Sequence, residues 1–517
     1  MDRTVAVIGA LASALALLGL AGCTKSLPPD AAVPPPPEAT AKDAPAADRD
    51  FWEVYVMQST RIGYGRTTVR RAVEAERQVV LTESLNHLAV KRAGQVTEED
   101  IRSQSVETPR GQLLRFTSEL RMGPTPIRTT GQVHGDRLDI ETMNGASGSP
   151  APSSIGWPSD GRGPLAMEQT LWQQPMQPGQ RRALRTLMIG FNQAAKVEMV
   201  AKDYQPTALL NGSYDLLRID TVTQLGDGQK IEGTLWTNRT GEILKTYSQA
   251  MGLETFRVSR AEALKTADAA ELELLPSMLV KVNQPLPHAH RTKQVRYRVQ
   301  LEGSDPAGVF VTGPTQAVKS IDAHTAEITV CAIRPGQAGG NSHAPADPPT
   351  EDDRRPNSYI QSDDPLIVAD AKKAADGETD PWRVAVALER YVDHEVKDKN
   401  LTQAFATAAE VAKSREGDCT EHAVFLAALC RARGIPARVA IGLVYMQGGE
   451  AFGYHMWTEA YIGQRWIPID ATLAQGGIGA GHLEIAHTNL KGASAYSAFL
   501  PVVQILGRLK IEILDAR

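Results

Sequence analysis

From Phe51 to about Arg260, polar and apolar positions alternate in short runs. Trp52, Val54 and Val56 alternate with Glu53 and Tyr55; Val79, Val80 and Leu81 lie in a second run of strand formers, and Leu216, Leu217 and Ile219 in a third. A period of two turns one face to a core and the other to water, so this region is expected to be sheet. Thr234 to Arg257 reads as two strands joined at Asn238–Gly241, four turn-forming residues. The Gly/Pro/Ser stretch from Asn144 to Pro164 reads as an irregular interruption. A β-rich domain is therefore expected over 51–270. A second β-rich segment is expected over 271–350. There Val295, Tyr297, Val299 and Leu301 alternate with Arg296, Arg298 and Gln300, and Ile328, Val330 and Ala332 with Thr329 and Cys331. Residues 335–358 hold Gly, Pro and acidic residues without a period, and read as a linker or exposed loop.

The period then changes. Asp380 and Pro381 suit an N-cap and first helical position, and Val384, Leu388, Tyr391 and Val392 follow on one helical face. A second helix is marked by Asp418 with Glu421 three residues on, the spacing of a capping box, and by Gly434 and Pro436 at its end. Cys419 falls on its first turn. Tyr454–Ile462 alternates again, with His455, Trp457, Glu459 and Tyr461 on one face. Gly463 and Gln464 make a turn, and Arg465–Thr472 returns antiparallel. With a two-residue loop Asp470 lies opposite Trp457, so Asp470 and His455 are diagonal neighbours on one face, within reach of each other's side chains.

The first residues carry a different signal. Val5 to Leu20 is an apolar run without charge, 16 residues long, short of the roughly 20 that span a bilayer and in keeping with a signal peptide over 1–22. The run ends in Leu20-Ala21-Gly22-Cys23, which resembles a bacterial lipobox and implies cleavage before Cys23 and lipid on its thiol. Residues 24–50 hold seven Pro and seven Ala. Such a composition cannot bury a core, and 23–50 is expected to be a lipid-anchored tether reaching about 3.1 Å per residue at most. These features place the protein in the bacterial cell envelope, at the outer membrane or its periplasmic face. A net charge of −5 argues against sequence-independent nucleic-acid binding, which needs a basic surface. Four cysteines in 517 residues exclude a disulfide-built scaffold.

The chemistry concentrates around Cys419. A helix N-terminus favours thiolate over thiol, and the thiolate is the nucleophile; Asp418 opposes this, so an adjacent base is needed. Arg415-Glu416-Gly417-Asp418-Cys419-Thr420-Glu421-His422-Ala423, Gly434-Ile435-Pro436-Ala437-Arg438, His455-Met456-Trp457-Thr458-Glu459 and Trp466-Ile467-Pro468-Ile469-Asp470 together resemble the core of the transglutaminase-like superfamily. The resemblance covers roughly 360–475. It implies an α+β fold with a papain-like core over 356–480, in which the Cys419 helix packs on an antiparallel sheet, followed by a C-terminal extension over 481–517. It further implies Cys419 as nucleophile, His455 as base and then acid, and Asp470 as the orienting residue.

Other residues read more plainly. Cys430 lies three turns beyond Cys419, too far to bond it, and is a core thiol; Cys331 either pairs with it or is free. His422 suggests half a metal site without a partner of matching spacing and reads as surface or supporting, so neither metal nor cofactor is expected. Trp457 and Trp466 read as packing and Glu459 as a structural hydrogen-bond partner. Gly476–Gly481 reads as a flexible loop near the site, lacking the context of a dinucleotide motif. The expected function is that of an envelope lipoprotein with a thiol active site. It would act on amides of a protein or peptide substrate through a Cys thioester, and hydrolysis is expected over cross-linking. The alternative is a non-catalytic envelope binding protein whose β-rich region does the work.

Overall fold

The computed structural model describes residues 48–517 except 93–94, 122–124, 145–150, 227, 250–251, 266–278, 335–339, 342–343, 346, 398–404 and 492–494. The expected signal peptide, Cys23 and all but the end of the tether lie outside the described residues. No helix among the described residues is long and apolar enough to cross a membrane. The fold is mixed, strand-rich before a C-terminal α+β part, and divides into two compact units, one holding residues 48–91 and 98–272 and the other centred on 273–517.

The N-terminal unit is one antiparallel sheet of 14 strands. Successive strands pair as a meander from Arg49–Met57 out to Ala151–Gly156, and again from Arg181–Met188 to Leu253–Val258. The two meanders join where Val54 lies opposite Phe256. Between them runs a helix, Ala166–Gln173, which the sequence reading missed. It buries Ala166, Met167 and Leu171 against Val197, Met199, Leu217, Ile219 and Leu235 of the second meander.

Two expectations for this region need correction. Thr234–Arg257 holds parts of three strands, Lys230–Thr237, Ile243–Ser248 and Leu253–Val258. The first turn is the Asn238–Gly241 tetrad, but the second ends on Gly252, with φ of 59°, and a single glycine in an apolar run is a weak turn signal. Within the supposedly irregular Asn144–Pro164, residues 151–156 form the outermost strand and Ile155 pairs with Leu138. Pro152 is tolerated there because an edge strand has one row of N–H groups that no neighbour needs.

In the C-terminal unit the helix Cys419–Ala432 is central. Asp418 accepts the Thr420 N–H at 2.8 Å, Glu421 accepts the Asp418 N–H at 2.8 Å, and Gly434 takes a φ of 76° beyond the end. Residues 419–431 are all buried, and a helix covered on every face belongs to an interior. The helices Pro365–Ala374, Pro381–Glu395 and Ala408–Ser414 pack around it, as do the strands Ala437–Met446 and Ala451–Ile462. Burying Phe425, Leu426 and Leu429 completely contributes about 1.5–3 kcal/mol each.

The predicted hairpin has the expected register. Thr458 lies opposite Ile469 and Ile462 opposite Arg465, with Gly463 and Gln464 at φ 59° and 63°, as a two-residue turn with both central residues left-handed requires. On the other side His455 pairs with Gly442. A Cβ on Gly442 would meet the Leu483 carbonyl oxygen at 2.0 Å, so only glycine lets the next strand approach there.

The segments flanking the core are part of this unit. Gln294–Leu301 lies between Thr325–Cys331 and the last strand, Leu509–Ala516, which joins the accessory segment and the C-terminal extension in one sheet. Val280–Lys281 pairs with Ala451–Phe452, and His482–Thr488 with Ala437–Met446, so the core sheet draws strands from both sides of 356–480. The expected linker over 335–358 is tied down at Asp347: its carboxylate pairs with Arg438 at 2.7 Å and its carbonyl accepts the Trp466 Nε1–H at 2.9 Å. Composition cannot reveal one acidic residue matched to a buried arginine.

Candidate active site

Cys419 starts the central helix and is 2% exposed. The backbone N–H of Met456, next to His455, acts on its sulfur in favour of the thiolate. The His455 strand is also held to the helix by Thr458, whose hydroxyl donates to the Ala423 carbonyl at 2.9 Å. Burial pushes the Cys419 thiol well above its ordinary range; the Asp418 charge adds to this, and the Met456 N–H opposes it. Burial and Asp418 thus work against the preference for thiolate that the helix N-terminus brings.

The base, His455, is held in place by Asp470. His455 Nε2 lies 2.8 Å from Asp470 Oδ2, both groups buried. Burial alone would raise the Asp470 carboxyl, but the two histidines His455 and His482 hold it well below the ordinary range. Asp470 is thus an acceptor, and His455 Nε2 carries the proton it accepts. That leaves Nδ1 as the basic nitrogen of the ring. It is buried and has no hydrogen-bond partner.

The remaining Asp470 bonds come from residues that sequence reasoning missed. His482 Nε2 donates to Oδ2 at 3.2 Å. Thr472 donates its N–H at 2.9 Å and its hydroxyl at 2.6 Å to Oδ1. Glu389 accepts the Asp470 N–H at 3.1 Å and the Gly476 N–H at 2.8 Å, and burial pushes its carboxyl up to about 7. Thr472 was open to recognition, since a hydroxyl two residues after an aspartate is a local turn motif. Glu389 left a trace as a carboxylate on the buried stripe of Ala385, Leu388 and Val392. His482 left none: it reaches Asp470 across the glycine-rich loop.

That loop also departs from expectation. Gly477–Gly481 is buried. The Ala480 carbonyl accepts the Tyr297 hydroxyl at 2.7 Å and the Ile478 carbonyl accepts Arg334 at 2.8 Å, while Gly479 and Gly481 run against the backbone of Ala289 and His290. The glycines here permit close approach, not mobility. His422 is buried, not on the surface, and its Nδ1 lies 2.6 Å from the Asp418 carbonyl. Trp457 is buried and stacks on His455 with ring centres 6.2 Å apart; buried Trp466 lies under Arg438, and Glu459 pairs with Arg438 at 2.7 Å. Cys331, Cys419 and Cys430 are free thiols.

Among the described residues, two groups have ligand atoms close enough to share a cation: His455, Asp470 and His482, and Glu459, Glu484 and His487. In the first, both histidine Nε2 atoms already donate to Asp470 Oδ2.

Residues 369–471, which include Cys419, His455 and Asp470, match the model of the transglutaminase-like superfamily. The chain carries a transglutaminase-like domain. This superfamily is one of thiol-dependent enzymes. Among solved structures, the chain is similar to a candidate cysteine protease from Cytophaga hutchinsonii, with 17% identity over 44% of this chain and 85% of that one and a TM-score of 0.27. It is also similar to a beta-barrel-like protein of a domain of unknown function from Brucella abortus, at 10% over 41% and 96% with a TM-score of 0.30. A third is the periplasmic domain of TgpA from Pseudomonas aeruginosa bound to ethylmercury, at 16% over 36% and 91% with a TM-score of 0.24. No curated protein matches the chain.

Proposed function

We propose that the transglutaminase-like domain hydrolyses amides of a protein or peptide through a Cys419 thioester. The observation that carries this reading is the state of His455: one nitrogen is fixed on Asp470, and the other is unpaired on the strand whose next N–H acts on the Cys419 sulfur. The sulfur attacks the substrate carbonyl as its proton passes to His455 Nδ1. The leaving nitrogen takes that proton as the C–N bond breaks. Water then attacks the thioester, His455 accepts its proton and returns it to the sulfur, and the acid leaves. The Cys419 N–H, at the first helical position, has no intrahelical acceptor and can face the oxyanion.

Water is the acceptor in this proposal because the acyl group occupies the way in to Cys419, a residue 2% exposed, and a second reactant must then be small. Mobility of the glycine-rich loop is no part of the reasoning, since its hydrogen bonds hold it. The test is incubation with envelope polypeptides and a labelled primary amine. Cleavage or ammonia release should exceed label incorporation, and the reverse excess would identify a cross-linker. The buried, raised Cys419 thiol favours one alternative, a domain that binds without catalysing. Labelling with an activity-directed thiol reagent separates the two, since a non-catalytic domain leaves Cys419 unlabelled. We further place this chemistry at a bacterial envelope surface, through lipid on Cys23; Cys23→Ser protein should leave the membrane fraction.

A further inference from the structure

The chemistry above uses none of the N-terminal unit, yet its sheet lines a partly open cavity of about 120 Å³. An apolar cavity of about 150 Å³ binds benzene, so this one suits a ligand of about five or six non-hydrogen atoms. Leu88, Ile101 and Leu187 give it apolar wall; Thr82, Glu53 and Glu168 also line it. Two of its lining residues, 3% and 5% exposed, each carry a buried polar atom without a hydrogen-bond partner, Thr82 Oγ1 and Glu168 Oε2. Leaving such groups unpaired costs about 1–3 kcal/mol each. A carboxylate oxygen only accepts, and a hydroxyl can accept, so a donor is called for.

Charge narrows the choice. Glu53 and Glu168 share one guanidinium, that of Arg257, at 3.2 and 2.8 Å, and Glu242 adds to the negative field at Glu168. Arg257 is itself held over the Phe51 ring at 3.7 Å and has no second charge to offer. With both carboxyls ionised, one negative charge is left over in a buried place. A bare metal ion would need several oxygen ligands, which the leucine and isoleucine walls do not supply. We propose that this cavity is a binding site for a small primary alkylammonium ion, its N–H groups on Glu168 Oε2 and Thr82 Oγ1 and its chain against Leu88, Ile101 and Leu187. The ligand replaces the proton that Glu168 otherwise holds, in keeping with a carboxyl that burial pushes up to about 7.

The test is calorimetric titration of the full chain at pH 8 with n-butylammonium, and with n-butanol as the uncharged comparator of the same size. The ammonium ion should bind at least tenfold more tightly than the alcohol, and Glu168→Gln should remove at least tenfold of that while leaving the alcohol unchanged. Thr82→Val should weaken ammonium binding severalfold, and stands in if Glu168→Gln fails to fold by circular dichroism. Equal affinity for the two probes, no binding of either, or insensitivity to the cavity substitutions would overturn the proposal. So would ammonium binding that vanishes with Cys419→Ala, which would locate the amine at the thiol site.

Discussion

Asp470 in the C-terminal unit and Glu168 in the N-terminal unit are both buried carboxylates, and their surroundings drive them in opposite directions. Asp470 receives two histidine N–H groups, a backbone N–H and a hydroxyl, and stays ionised far below the ordinary range. Glu168 has half of one guanidinium, an unpaired oxygen and two more acids in its field. Burial penalises charge in both; the number of donors decides whether the charge survives. The first arrangement fixes a base for catalysis. The second leaves a vacancy for a proton or a cation.

The largest way to break the contrast is to remove the Asp470 charge. Asp470→Asn should slow acylation of Cys419 by p-nitrophenyl acetate on the order of 10³–10⁴-fold, because the amide cannot hold His455 in its working tautomer. Cys419→Ala should abolish the nitrophenol burst, His455→Ala should come next, and a Cys419→Ala/Asp470→Asn double variant should be little worse than Cys419→Ala. Additive losses would mean that the residues do not share one site. Stability follows the same charge. A depressed carboxyl contributes above its unfolded pKa and loses that contribution as pH falls through the folded value. The stability gap between wild type and Asp470→Asn should accordingly be open at pH 7 and close in acid.

Glu168 should show the opposite sign. Its folded carboxyl titrates at about 7 against an unfolded reference of 4.5, so both states are protonated below 4.5 and the unfolded chain releases its proton first as pH rises. The N-terminal unit should lose up to about 3 kcal/mol of stability between pH 4.5 and 7. Glu168→Gln should flatten that dependence, read by hydrogen exchange along the strand Gln193–Leu209. An unchanged slope would assign the loss to another group and dissolve the contrast with Asp470.

The two regions also differ in how much of them the sequence reveals. The Cys419 helix is legible because Asp418, Glu421 and Gly434 are local devices at fixed spacing, and the hairpin because a two-residue turn sets the register of all that follows. Those two elements carry the whole of Cys419, His455 and Asp470. What stays hidden is non-local: His482 arrives on a separate strand, Asp347 lies in a stretch with linker composition, and the Arg257–Glu168 pair joins residues 89 apart. The glycine-rich loop misleads for a related reason. Glycine marks both mobile chain and close packing, and only the neighbouring backbone of Ala289 and His290 tells which.

The smallest effect concerns the thiol itself, where Cys419 can be set against Cys430 on the same helix. Burial leads in raising both, Cys430 to about 12, but Asp418 faces only the first. Asparagine caps a helix as well as aspartate does, so Asp418→Asn should keep the acceptor for the Thr420 N–H and change stability by no more than a few tenths of a kcal/mol. Removing the charge should lower the Cys419 thiol and speed its alkylation by iodoacetamide at pH 8. Cys430 lies beyond the reach of that change and supplies the internal control, read by mass spectrometry of the same digest. Equal acceleration at both thiols would point to loosening of the helix. No acceleration at either would show that access to the buried sulfur, and not its charge state, limits the reaction. The acid beside the nucleophile would then serve the helix cap alone.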